Sequence, residues 1–367
     1  MRRRQFIQTS MTAAAGIGQL PAASAMLKPK PALPDPQPGN LPRWRGFNLL
    51  EKFVAGTSGP VPEGPYHERD FEWIARWGFN FVRLPMSYQC WAPGDPARWT
   101  ELNERVLKEV DRAVKYGRRY GIHTNLNLHR IPGYCVNPPA EPLNLWTDER
   151  ALAAAIFHWK HLAERYKGRP NREVSFDLIN EPANIDEASY VRVIKALVDA
   201  IRSVDPDRLI IADGLQYGTQ PVYGLTGMNL GQSTRGYMPM NVSHYQASWV
   251  PMSSEWPAPS WPTNWMNVTW SADTLRAFAI EPWRKLQEKG VGVHVGEWGC
   301  FNRTPHDVAL RWMEDQLKLW KGAGWGWSLW NFRGEFGVLN SGRKDVAYKD
   351  YKGQQLDEKM LALLQTY

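Results

Sequence analysis

From Arg43 to the end of the chain, strand-like and helix-like segments alternate, and an eightfold alternation fits few architectures. The strand candidates are Arg43–Leu50, Phe79–Pro85, Ile122–His129, Val174–Glu181, Leu209–Asp213, Val242–Gln246, Val293–Glu297 and Gly326–Asn331. Amphipathic runs at 101–120, 149–166, 188–204, 273–289 and 306–321 separate them, with Gly121, Gly168 and Gly290 placed as helix stops. This order predicts the α/β class and a single (β/α)8 TIM barrel with enlarged βα loops over residues 43–367. A doubly wound sheet also alternates. A dinucleotide-binding one, however, opens on a Gly-rich turn, and Asn48-Leu49-Leu50-Glu51-Lys52 contains none. The glycines at 322, 324 and 326 precede a strand instead of opening a helix, so they read as a turn.

A chain of 367 residues, 43% hydrophobic and 22% charged, has ordinary globular composition and is long enough to bury one large core. Its formal charge is +7, and three of those charges are arginines of an acid-free N-terminal segment. The rest of the chain has no basic arm, which argues against a nucleic-acid partner. No segment reaches the ~18 uninterrupted apolar residues of a membrane span. A monomer is expected. Met1 to Ala25 opens on Arg3-Arg4-Gln5-Phe6-Ile7, continues through an Ala-rich run and ends in Ala23-Ser24-Ala25, a pattern that resembles a twin-arginine export signal. The expected location is therefore periplasmic or extracellular. The proline-rich stretch 26–42 is expected to act as a semi-rigid tether.

The carboxyl ends of the strands carry the chemistry. Val174 to Pro182 reads VSFDLINEP, an apolar strand that stops on Asn180, Glu181 and a proline unable to donate to a ladder. The other tips end in Arg83, His129, His244 with Tyr245, Glu297, and Trp330. Such residues converge on one face of a barrel, the face where barrels do chemistry. Two glutamates facing each other there can flank a glycosidic bond, one protonating the leaving oxygen while the other attacks or activates water. Taken singly, each has a plainer reading: Glu181 as a solvated loop acid, the histidines as satisfied core residues.

Nineteen tryptophans are unusual, because a buried indole N–H needs a partner. Some must fill the core, and others suit a ligand with apolar faces and many hydroxyls, as sugar rings are. The loop 247–270 carries Trp249, Trp256, Trp261, Trp265 and Trp270 among prolines. It is either a wall for a sugar subsite or a loop folded on its own tryptophans.

The segments Arg83-Leu84-Pro85, Leu126-Asn127-Leu128-His129, Leu178-Ile179-Asn180-Glu181-Pro182, His244-Tyr245, Gly296-Glu297-Trp298-Gly299 and Trp327-Ser328-Leu329-Trp330, in this order, resemble the signature set of family 5 glycoside hydrolases. The resemblance implies a retaining glycosidase acting on β-linked glycans, cellulase-like or mannanase-like, with Glu181 as acid/base and Glu297 as nucleophile. It implies Asn180 as donor to the sugar 2-hydroxyl and Trp330 as the floor beneath the sugar being cleaved. Arg83 and Tyr245 are expected to favour the ionised form of Glu297, and His129 and His244 to fix hydroxyls and carboxylates. Asn127, where many relatives carry Asp, and the end of strand one depart from the common pattern, which leaves the glycan open. An exo-acting enzyme on oligosaccharides or furanosides and a non-catalytic sugar-binding barrel are the competing readings. Glu335 is a further acid near the last strand. The three cysteines show no metal spacing, and no cofactor is expected. Cys90 and Cys135 follow neighbouring strands and are candidates for a bridge that leaves Cys300 free.

Overall fold

Strands buried on both faces must hide every backbone group in a ladder, and eight parallel strands do so by closing on one another. The computed structural model describes residues 35–56 and 59–367, so the expected leader (1–25) and most of the expected tether lie outside the described residues. The barrel strands are, in chain order, Arg45–Asn48, Phe81–Ser87, His123–Arg130, Val174–Asp177, Ile210–Asp213, Gly231–Gly236, Val293–Trp298 and Gly326–Leu329. They are all parallel, and strand one closes the barrel by pairing with both strand two and strand eight. The (β/α)8 barrel is as expected.

Helices Glu104–Tyr120, Glu149–Tyr166, Glu187–Arg202 and His306–Ala323 cover the barrel with their apolar faces. Asn103, Asp148 and Asp186 cap three of them by accepting from backbone N–H groups of the first turn. Gly121, at φ 66°, ends the first of these in the left-handed conformation that glycine adopts without strain. After strand five only two short turns intervene, Leu215–Gly218 and Tyr223–Leu225.

Strand six departs from expectation. The segment expected there, Val242–Gln246, lies beyond the barrel wall, where Met240–Ser243 forms one helical turn. The true strand, GQSTRG, has no apolar alternation, because side chains satisfy its surroundings instead. Gln232 bonds both the N–H and the carbonyl of Val222, and Thr234 donates to the carbonyl of Gly218. Between strands six and seven the register shifts after Thr234, which sets Arg235 opposite Glu297 and leaves Gly296 unpaired. A Cβ on Gly296 would stand 2.4 Å from Ser233 Oγ and 2.8 Å from Arg235 Nη1, so the space a side chain needs is taken by the serine hydroxyl and the guanidinium it bonds.

The described end of the proline-rich stretch does not stand off as a tether. Pro36 and Leu41 are buried, Leu41 packs with Trp44, Phe81, Leu209 and Ile211 under the barrel, and the Pro38 carbonyl accepts from Gly292 N. The cysteines are unbridged: Cys90 and Cys135 donate to the carbonyls of Lys52 and His129, and Cys300 is a buried thiol. Fourteen of the nineteen tryptophans are buried, so core filling is their main use. Of the five others, three belong to the 247–270 loop and one is Trp330.

Changing Gly296→Ala should force Arg235 or strand seven aside. A loss of about 1–3 kcal/mol is expected for such overpacking, read as a lower thermal midpoint; an unchanged midpoint would show that Ser233 and the guanidinium do not fill that space.

Candidate active site

The site is built on two buried arginines. Arg83, on strand two, donates from Nε to Asp177 Oδ2 (2.8 Å) and from Nη2 to Asn180 Oδ1 (2.7 Å). Its Nη1 donates to Asn48 Oδ1 (3.1 Å) and Glu297 Oε1 (2.5 Å). Arg235 donates from Nε to Glu181 Oε1 (3.0 Å), from Nη1 to Ser233 Oγ (2.9 Å) and from Nη2 to Asn180 Oδ1 (2.9 Å). Asp213 accepts from both Nη groups of Arg235, and Glu297 Oε1 lies 3.4 Å from Nη2. Four carboxylates thus surround two guanidiniums, with Asn180 Oδ1 bridging the pair.

Glu181 and Glu297 are brought together as expected, from the ends of strands four and seven, and both lie against Arg235. The regular ladder of strand four stops at Asp177, and the chain turns through Leu178 to Glu181. Glu181 sits at φ 48°, a strained conformation for a residue with a side chain. Its backbone is pinned on both sides: its N–H donates to Asp213 Oδ2 (2.8 Å), and its carbonyl accepts from Tyr134 OH (2.7 Å). Tyr134 OH also accepts from Ala183 N, so one hydroxyl holds the Glu-Pro turn.

The two glutamates have different surroundings. Burial foremost, then the charge of Glu297, pushes the Glu181 carboxyl up to about 8, against the opposing pull of Arg235. Its Oε1 accepts from Arg235, so the proton belongs on Oε2. Glu297 Oε1 is held by Arg83 and Arg235, while Oε2 accepts only a longer bond from Tyr237 OH (3.3 Å). Burial foremost holds the Tyr237 phenol well above its usual range, so it stays a donor.

His129 stands 3.9 Å from Glu297 Oε1 through Nδ1. Its Nε2 faces the amide nitrogens of Asn137 (3.3 Å) and Asn180 (3.4 Å), which places the ring proton on Nδ1, toward the glutamate. Burial, with Arg83 and Arg235 nearby, holds this imidazole well below its usual value and therefore neutral. Asn180 is fully buried, and Nδ2 is its remaining donor. Trp330 is half-buried next to His129, and Phe53 meets both rings edge-on, at centroid distances of 5.2 and 4.5 Å.

Two expected partners sit elsewhere. Tyr245 is half-buried beyond strand six and its hydroxyl accepts from Gln246; the bond to Glu297 expected of it is made by Tyr237. His244 touches neither carboxylate. It bonds Ser243 Oγ (2.8 Å) and packs edge-on against Tyr237 (5.0 Å) and Phe336 (5.7 Å), so it shapes the wall behind Tyr237. Burial lowers it to about 4, which keeps it neutral. Glu335 is exposed on the loop after strand eight.

Arg235, Tyr237, Asp213, Asp177 and Tyr134 were not among the expected site residues. Asp177 and Asp213 were visible as acids inside apolar strands; Arg235 and Tyr237 were hidden by the misplaced strand six. The loop 247–270 is folded in part on its own tryptophans. Trp261 and Trp270 are buried in the core and Trp256 packs on Trp265 (5.8 Å), whereas Trp249 is 54% exposed and leans on Phe301 (4.9 Å) and Phe336 (6.2 Å) beside the site. Among the described residues no cluster of His, Cys, Asp and Glu could hold a metal ion. The four carboxylates at the barrel mouth are engaged by guanidiniums instead.

The family model for cellulase, glycosyl hydrolase family 5, matches residues 54–336. Endoglucanase C of Acetivibrio thermocellus is 23% identical over 305 residues, covering 76% of this chain and 88% of that protein. Cellodextrinase A of Ruminococcus flavefaciens is 24% identical, covering 67% of this chain and 72% of that protein. A solved glycoside hydrolase is 41% identical with a TM-score of 0.83, covering 88% of this chain and 99% of that one. An endoglucanase structure from Thermotoga maritima, 21% identical, shares the fold with a TM-score of 0.68 over 88% of this chain and 96% of that one. With the family match spanning most of the barrel and both strand-tip glutamates, the chain belongs to glycosyl hydrolase family 5 and is a glycoside hydrolase of the cellulase family.

Proposed function

We propose that this glycoside hydrolase cleaves β-linked glucan by double displacement, with Glu297 as nucleophile and Glu181 as acid/base. The observation that carries the reading is the sharing of one guanidinium by two glutamates in unlike surroundings. That sharing supports a spacing of about 5 Å, too short to admit the attacking water of an inverting enzyme. Glu297 Oε2, the less engaged oxygen, attacks C1 while Glu181 Oε2 gives its proton to the leaving oxygen. Water then enters from the side of Glu181, which takes a proton back as the ester with Glu297 breaks. Asn180 Nδ2 and the neutral His129 face the sugar ring and its nucleophile, and Trp330 supports the ring. A glucan substrate is supported by the names of the relatives, among them an endoglucanase, a cellodextrinase and, in Aspergillus terreus, a probable glucan 1,3-beta-glucosidase.

The first test is stereochemical. NMR of the first product from cellopentaose, taken before mutarotation, should show the β-anomer, and initial α-product would overturn the nucleophile role. Glu297→Ala should lose turnover by at least about 1000-fold, and azide should restore part of it with inverted product.

Acidity gives a second test. The reaction needs protonated Glu181, so a carboxyl raised to about 8 keeps kcat/KM high through neutral pH and lets it fall only as the pH passes that value. An alkaline limb near pH 5 would contradict this assignment. In Glu181→Gln the limb should disappear along with most activity on natural glycans.

We extend the proposal to location: Met1 to Ala25 directs export by the twin-arginine route. Replacing Arg3 and Arg4 together by lysine should leave an uncleaved precursor in the cytoplasmic fraction, and unchanged export would refute the route.

A further inference from the structure

Strand six carries, one residue before its end, Arg235, which the scheme above uses only as a neighbour. The residue is 4% exposed, and its Nε bond reaches Glu181 while Nη2 lies 3.4 Å from Glu297. Asp213, Ser233 and Asn180 hold the other faces of the guanidinium. Its stem is confined as well: a Cβ on Gly218, at φ 73°, would lie 2.7 Å from Arg235 Cγ, and one on Gly296 would lie 2.8 Å from Nη1. The guanidinium therefore stays where it is while charge changes around it.

Resting on the double-displacement reading, we propose that Arg235 is a positioning residue that converts Glu181 from acid to base between the two half-reactions. In the first, a carboxylate oxygen of Glu297 bonds to C1, the bond from C1 to the leaving oxygen breaks, and the proton of Glu181 passes to that oxygen. Glu297 is then a neutral ester and Glu181 a carboxylate. The charge that Arg235 meets at Nη2, on Glu297, is thus replaced by one at Nε, on Glu181, at a distance fixed beforehand, while that on Asp213 stays in place. Before the reaction, burial and the charge of Glu297 keep the proton on Glu181 and Arg235 opposes them; once the ester forms, the Glu297 contribution vanishes and the Arg235 contribution remains. In the second half-reaction a water oxygen bonds to C1, its proton goes to Glu181, and the bond from C1 to Glu297 breaks to return the carboxylate. A stable carboxylate at Glu181 is required only for this step, so Arg235 serves deglycosylation more than glycosylation.

The experiment compares Arg235→Gln and Arg235→Lys with the unmodified enzyme on 2,4-dinitrophenyl β-cellobioside, whose leaving group needs no acid. Arg235→Gln should release a burst of dinitrophenolate equal to the enzyme concentration. A steady state slower by about 100-fold should follow, with KM falling alongside kcat. Azide, a nucleophile that needs no base, should speed that steady state. Arg235→Lys keeps the charge and should recover part of the rate. Equal losses of kcat and kcat/KM, with no burst and no response to azide, would reduce Arg235 to a structural residue and overturn the proposal. Intact-mass analysis of the unmodified enzyme with a 2-deoxy-2-fluoro cellobioside separates the two levels of inference. An adduct on Glu297 without a burst in the variants overturns only the role of Arg235, whereas no adduct overturns the double-displacement reading beneath it.

Discussion

Everything at the mouth of this barrel depends on two guanidiniums buried among four carboxylates. Unpaired, each ion would cost several kcal/mol to bury, and breaking a buried pair leaves the partner charge exposed to a low dielectric. Arg83 and Arg235 solve this jointly, because both donate to Asn180 Oδ1 and both approach Glu297. The remaining imbalance, four acids against two cations, favours retaining a proton in the cluster. Burial and the neighbouring Asp213 raise Asp177 to about 7, and Glu181 lies higher still. The proton needed to release a leaving group is thus a product of burial first and of the excess of acids at the barrel mouth second.

Most of the fold was legible in the chain because barrel strands and helices announce themselves by period. The segments around Arg83, His129, Glu181 and Glu297 combined apolar runs with a polar tip; Arg83, His129 and Glu297 lie in their expected strands, and Glu181 lies just past the end of its own. Strand six was not legible. GQSTRG is buried by satisfying its polar groups through Val222 and Gly218, and no hydrophobic pattern records that. Misplacing it hid Arg235 and gave the hydrogen bond of Tyr237 to Tyr245. Nor could spacing reveal the Glu181 conformation, since a φ of 48° is enforced by Asp213 and Tyr134 from distant parts of the chain.

The aromatic residues divide by the same logic. Most indoles become core, Trp261 and Trp270 of the 247–270 loop among them, while Trp249, Trp256 and Trp265 of that loop remain partly in solvent. Trp249, Phe301, Phe336 and His244 form a wall whose inner member is Tyr237, so packing beyond strand six also sets the donor to Glu297. Apolar contacts and hydrogen bonding are joined at one phenol.

Gly296 carries a consequence for how such a chain can change over generations. Position 296 is closed from two sides, by the Ser233 hydroxyl and by the Arg235 guanidinium, so it admits no side chain while both are in place. The three positions therefore have an order of replacement: glycine must come first, and once serine and arginine have followed, glycine is locked in. A lineage that acquires the clamp gives up variation beside its nucleophile, and can regain it only by losing both the clamp and the serine that braces it.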